Sequence, residues 1–561
     1  MPNPLFSSPI CFYAGSRRVD GVLALYESEL VFAEVHSVAS TDALHRKSNF
    51  SLTLPLDEVY ACHFTPEIPV PEPSCGGTTR RATSRWSLAS SMLQSKQPLD
   101  KGAQLGTWQS RDSHINLPLG LKGGVQGSKQ SFSQLQECLR HVELLDNNEA
   151  AQQRNFTLFC MHLGKRPVTK KPVHRTFTFG PSLTSKSTDT EVSATWVEKL
   201  RPLICPLSDK MERRHILVLV NPFGGRKKGV QIYETYVAPL FHLAGLQVTL
   251  KQTERAMHAF QIARDLDLVA YDAVVTVSGD GLFHEFINGL MSRPDAKEAS
   301  RLPLGIIPAG SGNALAKSVD TILPDVAALN IIKGQTRPFD LYALTQFSAL
   351  DKQTVSKRMF GFLEIMWAII ADVDLESEHL RFAGSSRFTL MAIVRILNLR
   401  KYFGKLHFHK GTPCEKDAKP SVDRRFDSIT PASIPSDWTS LNTNFAYFMA
   451  MNTPWCSHDF LPAPSARFSD GCLDLVWIED GNISKMLRVL LDTESGTYVK
   501  EKYVRSEKVD AFMLEPDTSQ PFGILDIDGE AIPYGPILVE TMPHAATLIV
   551  PRSHDENVWQ R

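Results

Sequence analysis

The chain lacks the signals that mark several common classes of protein. Its nine cysteines form no C-x-x-C pair and no zinc-ligand spacing, and such an odd, scattered set is typical of a reducing compartment. No basic segment followed by an apolar core begins the chain, so we expect no secretory signal. No stretch reaches the roughly 20 apolar residues that a membrane-spanning helix needs. These absences predict a cytoplasmic protein that reaches membranes only peripherally.

Excess charge of either sign is also missing. The 60 basic and 61 acidic residues give a formal net charge of −1, which argues against nucleic acid as a partner. Two nucleotide-binding signatures are absent as well, because there is no G-x-x-x-x-G-K-[ST] sequence and no G-x-G-x-x-G after the first strand of the α/β region. The nearest approach to the second pattern has Leu315 where its third glycine would stand, so hydride transfer lacks its usual support.

Three similar corners are present, each made of an apolar strand, a loop of small residues and a helical pattern. The strands are predicted at 215–220, 273–277 and 302–307. The loops that follow them are Asn221-Pro222-Phe223-Gly224-Gly225, Ser278-Gly279-Asp280-Gly281 and Pro308-Ala309-Gly310-Ser311-Gly312-Asn313. Each loop alone is as readily explained as a tight turn. Together they predict a parallel sheet with intervening helices, whose loops converge on one anion-binding crevice.

These loops, in this order and spacing, resemble the lipid kinase family that contains diacylglycerol, ceramide and sphingosine kinases. The sequence ADVDLESE at residues 371–378, followed by Arg381 and Arg387, is similar to sphingosine kinases rather than to the other two groups. Near the C-terminus, residues 528–530 resemble the last nucleotide-contacting motif of the family. The resemblance extends from about residue 210 to residue 550.

The resemblance implies a role for each matching position. Asp280 would accept the proton of the lipid hydroxyl, and Asp374 would bind the polar head of the sphingoid base. The substrate would also contact Ser278, Gly279 and Gly281. The nucleotide would be bound by Asn221, Pro222, Phe223, Gly224, Gly225, Thr253, Glu285, Gly310, Ser311, Gly312, Arg381, Arg387, Asp528, Gly529 and Glu530. ATP and Mg²⁺ are the implied cofactors, with no identified set of metal ligands. These residue types suit phosphoryl transfer, in which the protein mainly positions groups and neutralises charge.

Three positions depart from the family pattern, and one of them is Met257, which replaces a polar residue. Phe223 stands where a basic residue is common, so one phosphate contact is either missing or supplied by the basic run 226–228, which is otherwise a solvated surface segment. Glu364 stands where a small or hydroxyl side chain is expected. A second acid at that place is compatible with a substrate that carries an ammonium group.

Long apolar stretches flank Asp374 and are predicted to be helical. They span residues 360–370 and 388–403. Core packing is the default explanation for both, and a slot for the lipid tail is the alternative. The two explanations agree if the second helix forms one wall of the slot. We then expect truncation of Leu397 to weaken long-chain substrates more than short-chain ones.

The first 205 residues form a different, mostly β region. Short alternating runs predict strands within 21–34, 49–64, 155–162 and 175–180, and residues 191–203 predict a helix that carries Trp196. This order is similar to a pleckstrin-homology fold with a long insert, expected to be disordered at about 72–133. A basic cluster would then meet anionic head groups or be simply solvated. Its members are Lys165, Arg166, Lys170, Lys171, His174 and Arg175.

Two further domains complete the expected architecture. A doubly wound nucleotide-binding α/β domain, phosphofructokinase- or NAD-kinase-like, should occupy 210–340. A β-sandwich lipid-binding domain should occupy 341–555, with a flexible insert at 411–442 and the active site in the cleft between the two. The expected reaction is ATP-dependent phosphorylation of the primary hydroxyl of a sphingoid base to the 1-phosphate. The alternatives are a diacylglycerol or ceramide kinase, an NAD-kinase-like enzyme, and a catalytically silent lipid-binding protein of the same fold.

Overall fold

The computed structural model describes residues 4–14, 17–25, 29–34, 51–56, 59–65, 155–163, 172–181, 189–206, 214–224, 227–377, 379–380, 386–414, 420–520 and 523–552. Several predictions lie outside these residues. They are the insert at 72–133, the basic residues 165–171, and the site residues Gly225, Arg226 and Arg381. Among the helices that are described, none combines the length and the apolar character needed to cross a membrane.

The N-terminal region is a seven-stranded antiparallel sheet closed by one helix. Its strands follow the spatial order β4-β3-β2-β1-β7-β6-β5. They are β1 (Phe6–Ala14), β2 (Arg17–Leu25), β3 (Glu29–Glu34), β4 (Ser51–Pro55), β5 (Val59–Thr65), β6 (Asn155–His162) and β7 (Val173–Pro181). Helix α1 (Asp189–Ile204) buries Trp196 completely, and the indole Nε1 donates a hydrogen bond to Ser8 Oγ at 2.8 Å. One expected surface group is inside, because His174 is buried and burial lowers the pKa of its imidazole to about 4.

The next region is a doubly wound α/β unit, as the sequence predicts. Its parallel strands are β8 (His215–Val220), β9 (Gln247–Gln252), β10 (Ala273–Ser278) and β11 (Pro303–Pro308), in the order β11-β10-β8-β9. Alternate residues of β8 enter two different cores, with Val218 on one face and Leu217 on the other. Burial on both faces explains why these strands are continuous apolar runs.

Helices cover both faces of this sheet. They are α2 (Gly229–Ile232), which continues through a π-helical turn (Tyr233–Val237) into α3 (Ala238–Ala244), then α4 (His258–Arg264), α5 (Asp280–Met291), α6 (Ala296–Ala299), α7 (Ala314–Ser318) and α8 (Pro324–Lys333). The N-terminal sheet packs against the same layer as α8, where Lys333 Nζ donates hydrogen bonds to the carbonyl oxygens of Leu56 and Val59, both at 2.6 Å.

The C-terminal region is a β-sandwich with three helices on one side. Its strands are β12 (Thr336–Phe347), β13 (Val355–Gly361), β14 (Glu364–Ala368), β15 (Tyr402–Lys410), β16 (Thr439–Met451), β17 (Leu473–Glu479), β18 (Val504–Pro516), β19 (Leu525–Ile527), β20 (Glu530–Ile532) and β21 (Ile537–Ile549). The helices are α9 (Ile369–Glu376), α10 (Ser386–Leu397) and α11 (Ile483–Leu491). Strand β21 pairs in parallel with β11 and antiparallel with β12 and β18, so the α/β unit and the sandwich share one continuous sheet.

Three expectations for this region are wrong. Residues 364–368 form a strand rather than a helix, because β14 pairs on both edges and is buried on both faces, which removes any helical period. The helix predicted to reach residue 403 ends at Leu397, and β15 begins at Tyr402. Residues 420–438 are not a free insert, because Ile429 and Trp438 are buried against the sandwich.

Candidate active site

The loops that follow β8, β10 and β11 converge on one cavity of about 940 Å³. Two of them touch through their backbones, since a Cβ on Gly310 would lie 2.3 Å from Gly279 Cα. The third loop is held by the Asn221 side chain, whose Oδ1 accepts the N–H groups of Phe223 and Gly224 at 2.9 and 3.0 Å. This pattern turns the chain sharply and leaves backbone N–H groups near the cavity.

Asp280 is the first residue of α5 and lines the cavity, half-buried. Its Oδ2 accepts the N–H of Ala314 at 2.9 Å, and its Oδ1 accepts the N–H of Leu315 at 3.1 Å. Burial raises the pKa of this carboxyl, the two N–H donors oppose the rise, and the nearby Asp528 carboxylate adds to it. An ionised carboxylate has about four acceptor sites, so these two bonds leave acceptor capacity for a ligand hydroxyl.

Asp528 has a structural role that the sequence did not indicate. Its carboxylate is fully buried and is surrounded by five donors, which saturates it. The donors are His284 Nδ1, Tyr342 Oη, and the backbone N–H groups of Phe362, Leu363 and Glu364, at 2.7 to 3.1 Å. The residue anchors the β13–β14 turn, and it also lines the cavity, so a nucleotide contact at this position stays a prediction. Gly529 and Glu530, its neighbours, line the cavity as well.

Three other predicted positions are occupied by structural contacts. Thr253 is buried, its N–H bonds to Val220 O at 2.9 Å, and it is not among the cavity-lining residues that the structure describes. Glu285 lines the cavity, where burial raises the pKa of its carboxyl and backbone donors at Met257 and Ala259 oppose the rise. Ser278 is buried, donates its hydroxyl to Gly279 O, and also lines the cavity.

Several of the remaining predicted glycines and basic residues line the cavity. Gly310, Ser311 and Gly312 line it, as do Gly279 and Gly281, whereas Pro222 is not among the described lining residues. Of the basic run that was considered, Lys227 lines the cavity. Arg387 also does so, with its guanidinium 4.4 Å from the centre of the Phe388 ring.

A group of acids lies between the loops and the sandwich. Asp374 on α9 lines the cavity and shares a hydrogen bond with Asp526. Burial first, and then the Asp374 charge, raise the pKa of Asp526 well above its usual range. Glu364, the first residue of β14, also lines the cavity. Sequence reasoning missed Asp526, which is the middle residue of β19 and is brought beside the cavity by the pairing of that strand with β14.

The far part of the cavity is apolar and is enclosed by α9, α10 and α11. Its lining includes Met366, Ile369, Ile370, Val373, Phe388, Ala392, Ile396, Phe460, Met486, Val489 and Leu490. Leu397 was expected here and does not belong, because it is 69% exposed, whereas the adjacent Ile396 is 3% exposed. One helical step rotates a side chain by about 100°, which separates the two. The contribution of α11 was missed, although its apolar residues recur at helical spacing.

No group of three or more His, Cys, Asp or Glu side chains suited to a metal ion occurs within the described part of the chain. Glu285 and Glu530 are neighbouring acids at the cavity, since the charge of Glu530 contributes to the raised pKa of Glu285. Glu530 is exposed, and its Oε1 lies over Gly281. This arrangement offers two carboxylates rather than a complete cage.

Comparison with known proteins places two segments of the chain in families. Residues 215–344 match the diacylglycerol kinase catalytic domain, and residues 436–550 match the YegS C-terminal NAD kinase beta sandwich-like domain. Sphingosine kinase 1 of Arabidopsis thaliana is 36% identical over 343 residues, which cover 57% of this chain and 69% of that protein. Sphingosine kinase 1 of Homo sapiens is 36% identical over 329 residues, covering 56% and 85%. Sphingoid long chain base kinase 4 of Schizosaccharomyces pombe is 30% identical over 353 residues, covering 60% and 75%.

Proposed function

Because the chain belongs to the sphingosine kinase family and is a lipid kinase, we propose that it transfers the terminal phosphoryl group of ATP to the primary hydroxyl of a sphingoid long-chain base. One observation supports this above all. A single cavity joins glycine loops at the ends of parallel strands, the Asp280 carboxylate and an apolar pocket between three helices. Phosphates, a reacting alcohol and an alkyl chain need these three environments, in this order.

In this proposal the chain's own groups position the reactants. The loops after β8, β10 and β11 hold the phosphates through backbone N–H groups, and Lys227 and Arg387 add positive charge. The substrate oxygen forms a bond to phosphorus, the bond from phosphorus to the ADP oxygen breaks, and the hydroxyl proton passes to Asp280. An alcohol is far less acidic than a carboxylic acid, so the proton moves late and orientation contributes most of the rate.

Magnesium would arrive with ATP and neutralise the charge on its phosphate oxygens. Mg²⁺ is usually held by one or two carboxylates together with substrate phosphates. Glu285 and Glu530 fit that requirement as a pair of neighbouring acids at the cavity. We propose these two residues as its ligands from the protein.

We further infer that the protein works at a membrane surface from a cytoplasmic location. Helices α10 and α11 pack against each other and line the apolar pocket with one face each. Their other faces leave a row of large apolar side chains in solvent, which we name the outer apolar face. It consists of Leu390, Ile393, Val394, Leu397, Ile483, Leu487 and Leu491. A bilayer is the occupant that this position favours, because a long-chain base would leave it directly beside the pocket.

The N-terminal sheet supports a second proposal about membranes. Seven antiparallel strands followed by a helix that buries Trp196 are the arrangement expected of a pleckstrin-homology-like unit. We infer that this region has that fold. Arg175 is an exposed basic residue of this region, and in this proposal it assists attachment to anionic head groups.

The experiment that tests the proposed function compares three lipid acceptors with labelled ATP. We expect phosphorylation of dihydrosphingosine, with diacylglycerol and ceramide at least tenfold slower, because the head-group region holds acids that suit an ammonium group. Faster turnover of diacylglycerol or ceramide would favour the alternative kinases. No turnover of any of the three, with the lipid still bound, would favour a silent lipid-binding protein.

A further inference from the structure

Glu364 occupies a position where a charged side chain is unusual. It is 3% exposed and begins a strand that pairs on both edges, with β16 and β19. Side chains of a strand alternate between faces. Ile365 and Trp367 point into the core of the sandwich, whereas Glu364 and Met366 line the cavity. The carboxyl group therefore faces the ligand side of the sheet.

The Glu364 carboxyl has no complete set of hydrogen bonds within the described structure. Its Oε2 is buried and has no partner there. By contrast, its backbone is satisfied, since its N–H bonds to Asp528 Oδ1 and its carbonyl oxygen accepts the N–H of Asp528 at 3.0 Å. A buried polar atom without a partner costs free energy, so a donor from a bound ligand would be stabilising here.

Every group that acts strongly on this carboxyl is acidic. After burial, the carboxylates of Asp528, Asp526, Asp280 and Asp374 raise the pKa of Glu364 well above its usual range. They come from the turn after β19, from β19, from α5 and from α9. Two uncharged groups complete the surroundings, namely the Tyr342 hydroxyl of β12 and the Cys456 thiol, and Glu364 helps to raise the pKa of both. None of these groups is basic, so an ammonium group of a ligand would meet only acidic and uncharged groups around this carboxyl.

Asp374 alone is poorly placed to balance a ligand cation. It shares a hydrogen bond with Asp526, and two carboxyl groups can do so only if one of them keeps a proton. The Asp374–Asp526 pair thus carries about one negative charge that is spread over two residues. A further ionisable carboxyl beside this pair is available in Glu364.

We propose that Glu364 is a second counter-ion for the substrate's ammonium group, opposite Asp374, and that it makes the enzyme select free long-chain bases over N-acylated bases. The inference rests on the proposed function, because it concerns the head group of the same substrate. In the free enzyme Glu364 keeps its proton. When the ammonium group binds, that proton leaves to solvent, so one positive charge replaces another.

This exchange gives a sign to the pH dependence of binding. Because the proton must leave Glu364, the KM for a free base should fall as pH rises through the raised pKa of this carboxyl. An N-acylated base carries no charge, so its binding should not show that trend. Glutamine in place of Glu364 cannot ionise and should remove the trend as well.

The test compares wild-type enzyme with Glu364→Gln, Glu364→Asp and a matched control, Glu494→Gln, which removes an exposed acid at the same cavity. We measure KM and kcat for dihydrosphingosine between pH 6 and 8.5, and the inhibition constant of N-acetyl-dihydrosphingosine. For Glu364→Gln we expect KM to rise by about tenfold to a hundredfold, with kcat within about twofold. We expect the inhibition constant of N-acetyl-dihydrosphingosine to be the same for Glu364→Gln as for the wild type. Glu364→Asp should recover part of the affinity for dihydrosphingosine.

Equal KM values for wild type and Glu364→Gln across this pH range would overturn the inference. An equal loss of affinity for the free base and for the N-acetylated base in Glu364→Gln would overturn it too. Thermal unfolding of each variant shows whether it is folded. If Glu364→Gln is not folded, Glu364→Asp is compared with the wild type instead. If the wild type phosphorylates no free base, the proposed function fails. Equilibrium dialysis of dihydrosphingosine against wild type and Glu364→Gln still decides the role of Glu364 in that case.

Discussion

Gly279 and Gly310 pack backbone against backbone where β10 and β11 end. A Cβ on Gly310 would lie 2.3 Å from Gly279 Cα and 2.8 Å from Gly279 N, which are distances that no atom pair of this kind tolerates. The close approach brings Asp280 within hydrogen-bonding distance of the first N–H groups of α7. The position of the candidate base therefore depends on two residues without side chains.

Substitution of Gly310 by alanine should separate these loops. We expect Gly310→Ala to lower kcat by about a hundredfold, since a displacement near 1 Å at a reacting group has that effect. Gly312→Ala is the control in the same loop, because its Cβ would meet nothing closer than Asp280 Oδ2 at 3.6 Å. Steady-state kinetics of both variants check this. Similar rates for the two would show that the contact does not position Asp280.

The apolar pocket should set the preferred chain length of the substrate. Ile396→Ala removes bulk that lines the pocket, whereas Leu397→Ala removes similar bulk from the solvent side. We expect Ile396→Ala to raise KM for an 18-carbon base more than for a 12-carbon base, by about tenfold for two or three lost methylene contacts. The assay uses albumin-carried lipid, in which Leu397→Ala should match the wild type. The same loss for both chain lengths would argue against a tail pocket.

Charge on the outer apolar face should weaken membrane binding without harming chemistry. We expect the double variant Leu397→Glu, Leu487→Glu to sediment with vesicles at least tenfold less than wild type, because each buried carboxylate opposes insertion. Asn398→Glu adds a charge beside the face without removing an apolar group and should bind nearly normally. Activity on albumin-carried base should be equal in all three. Unchanged sedimentation of the double variant would exclude this face as the docking surface.

The decrease of kcat at low pH should reflect protonation of the Asp280 carboxylate. This carboxylate must be ionised to accept the hydroxyl proton, and burial raises its pKa. Activity should therefore fall as pH decreases through a value above about 3.9, the ordinary pKa of aspartate. A profile of kcat at saturating substrate checks this, with circular dichroism to confirm that the protein stays folded. A decrease at or below the ordinary value would mean that burial does not control this group.

Much of the α/β unit could be predicted from the sequence, because buried parallel strands are continuous apolar runs and their loops contain small residues. The cluster around Asp280 followed from that pattern. The prediction failed where burial removed the period that distinguishes a helix from a strand. Residues 364–368 are apolar on both faces after Glu364, so their pattern fits either structure.

Several site residues could not be identified before their partners were known. Asp528 belongs to a motif that suggests a ligand contact, and only the five donors around it reveal an anchor. Asp526 and α11 reach the cavity through strand pairing and helix packing that connect residues far apart in the chain. Whether Ile396 or Leu397 lines the pocket depends on how α10 is rotated about its axis. The sequence does not determine that rotation, because apolar residues occur on several faces of the helix.

The central claim is that the Asp280 carboxylate receives the proton of the lipid hydroxyl. Asp280→Asn keeps the size of the side chain but offers one acceptor for two backbone donors, so the folded state should lose about 1–3 kcal/mol. At a temperature where the variant still unfolds in one transition, phosphoryl transfer from labelled ATP to dihydrosphingosine is the deciding measurement. The account predicts a rate lower by a factor of about 10² to 10⁴. A folded variant that keeps a tenth or more of the wild-type rate would contradict it.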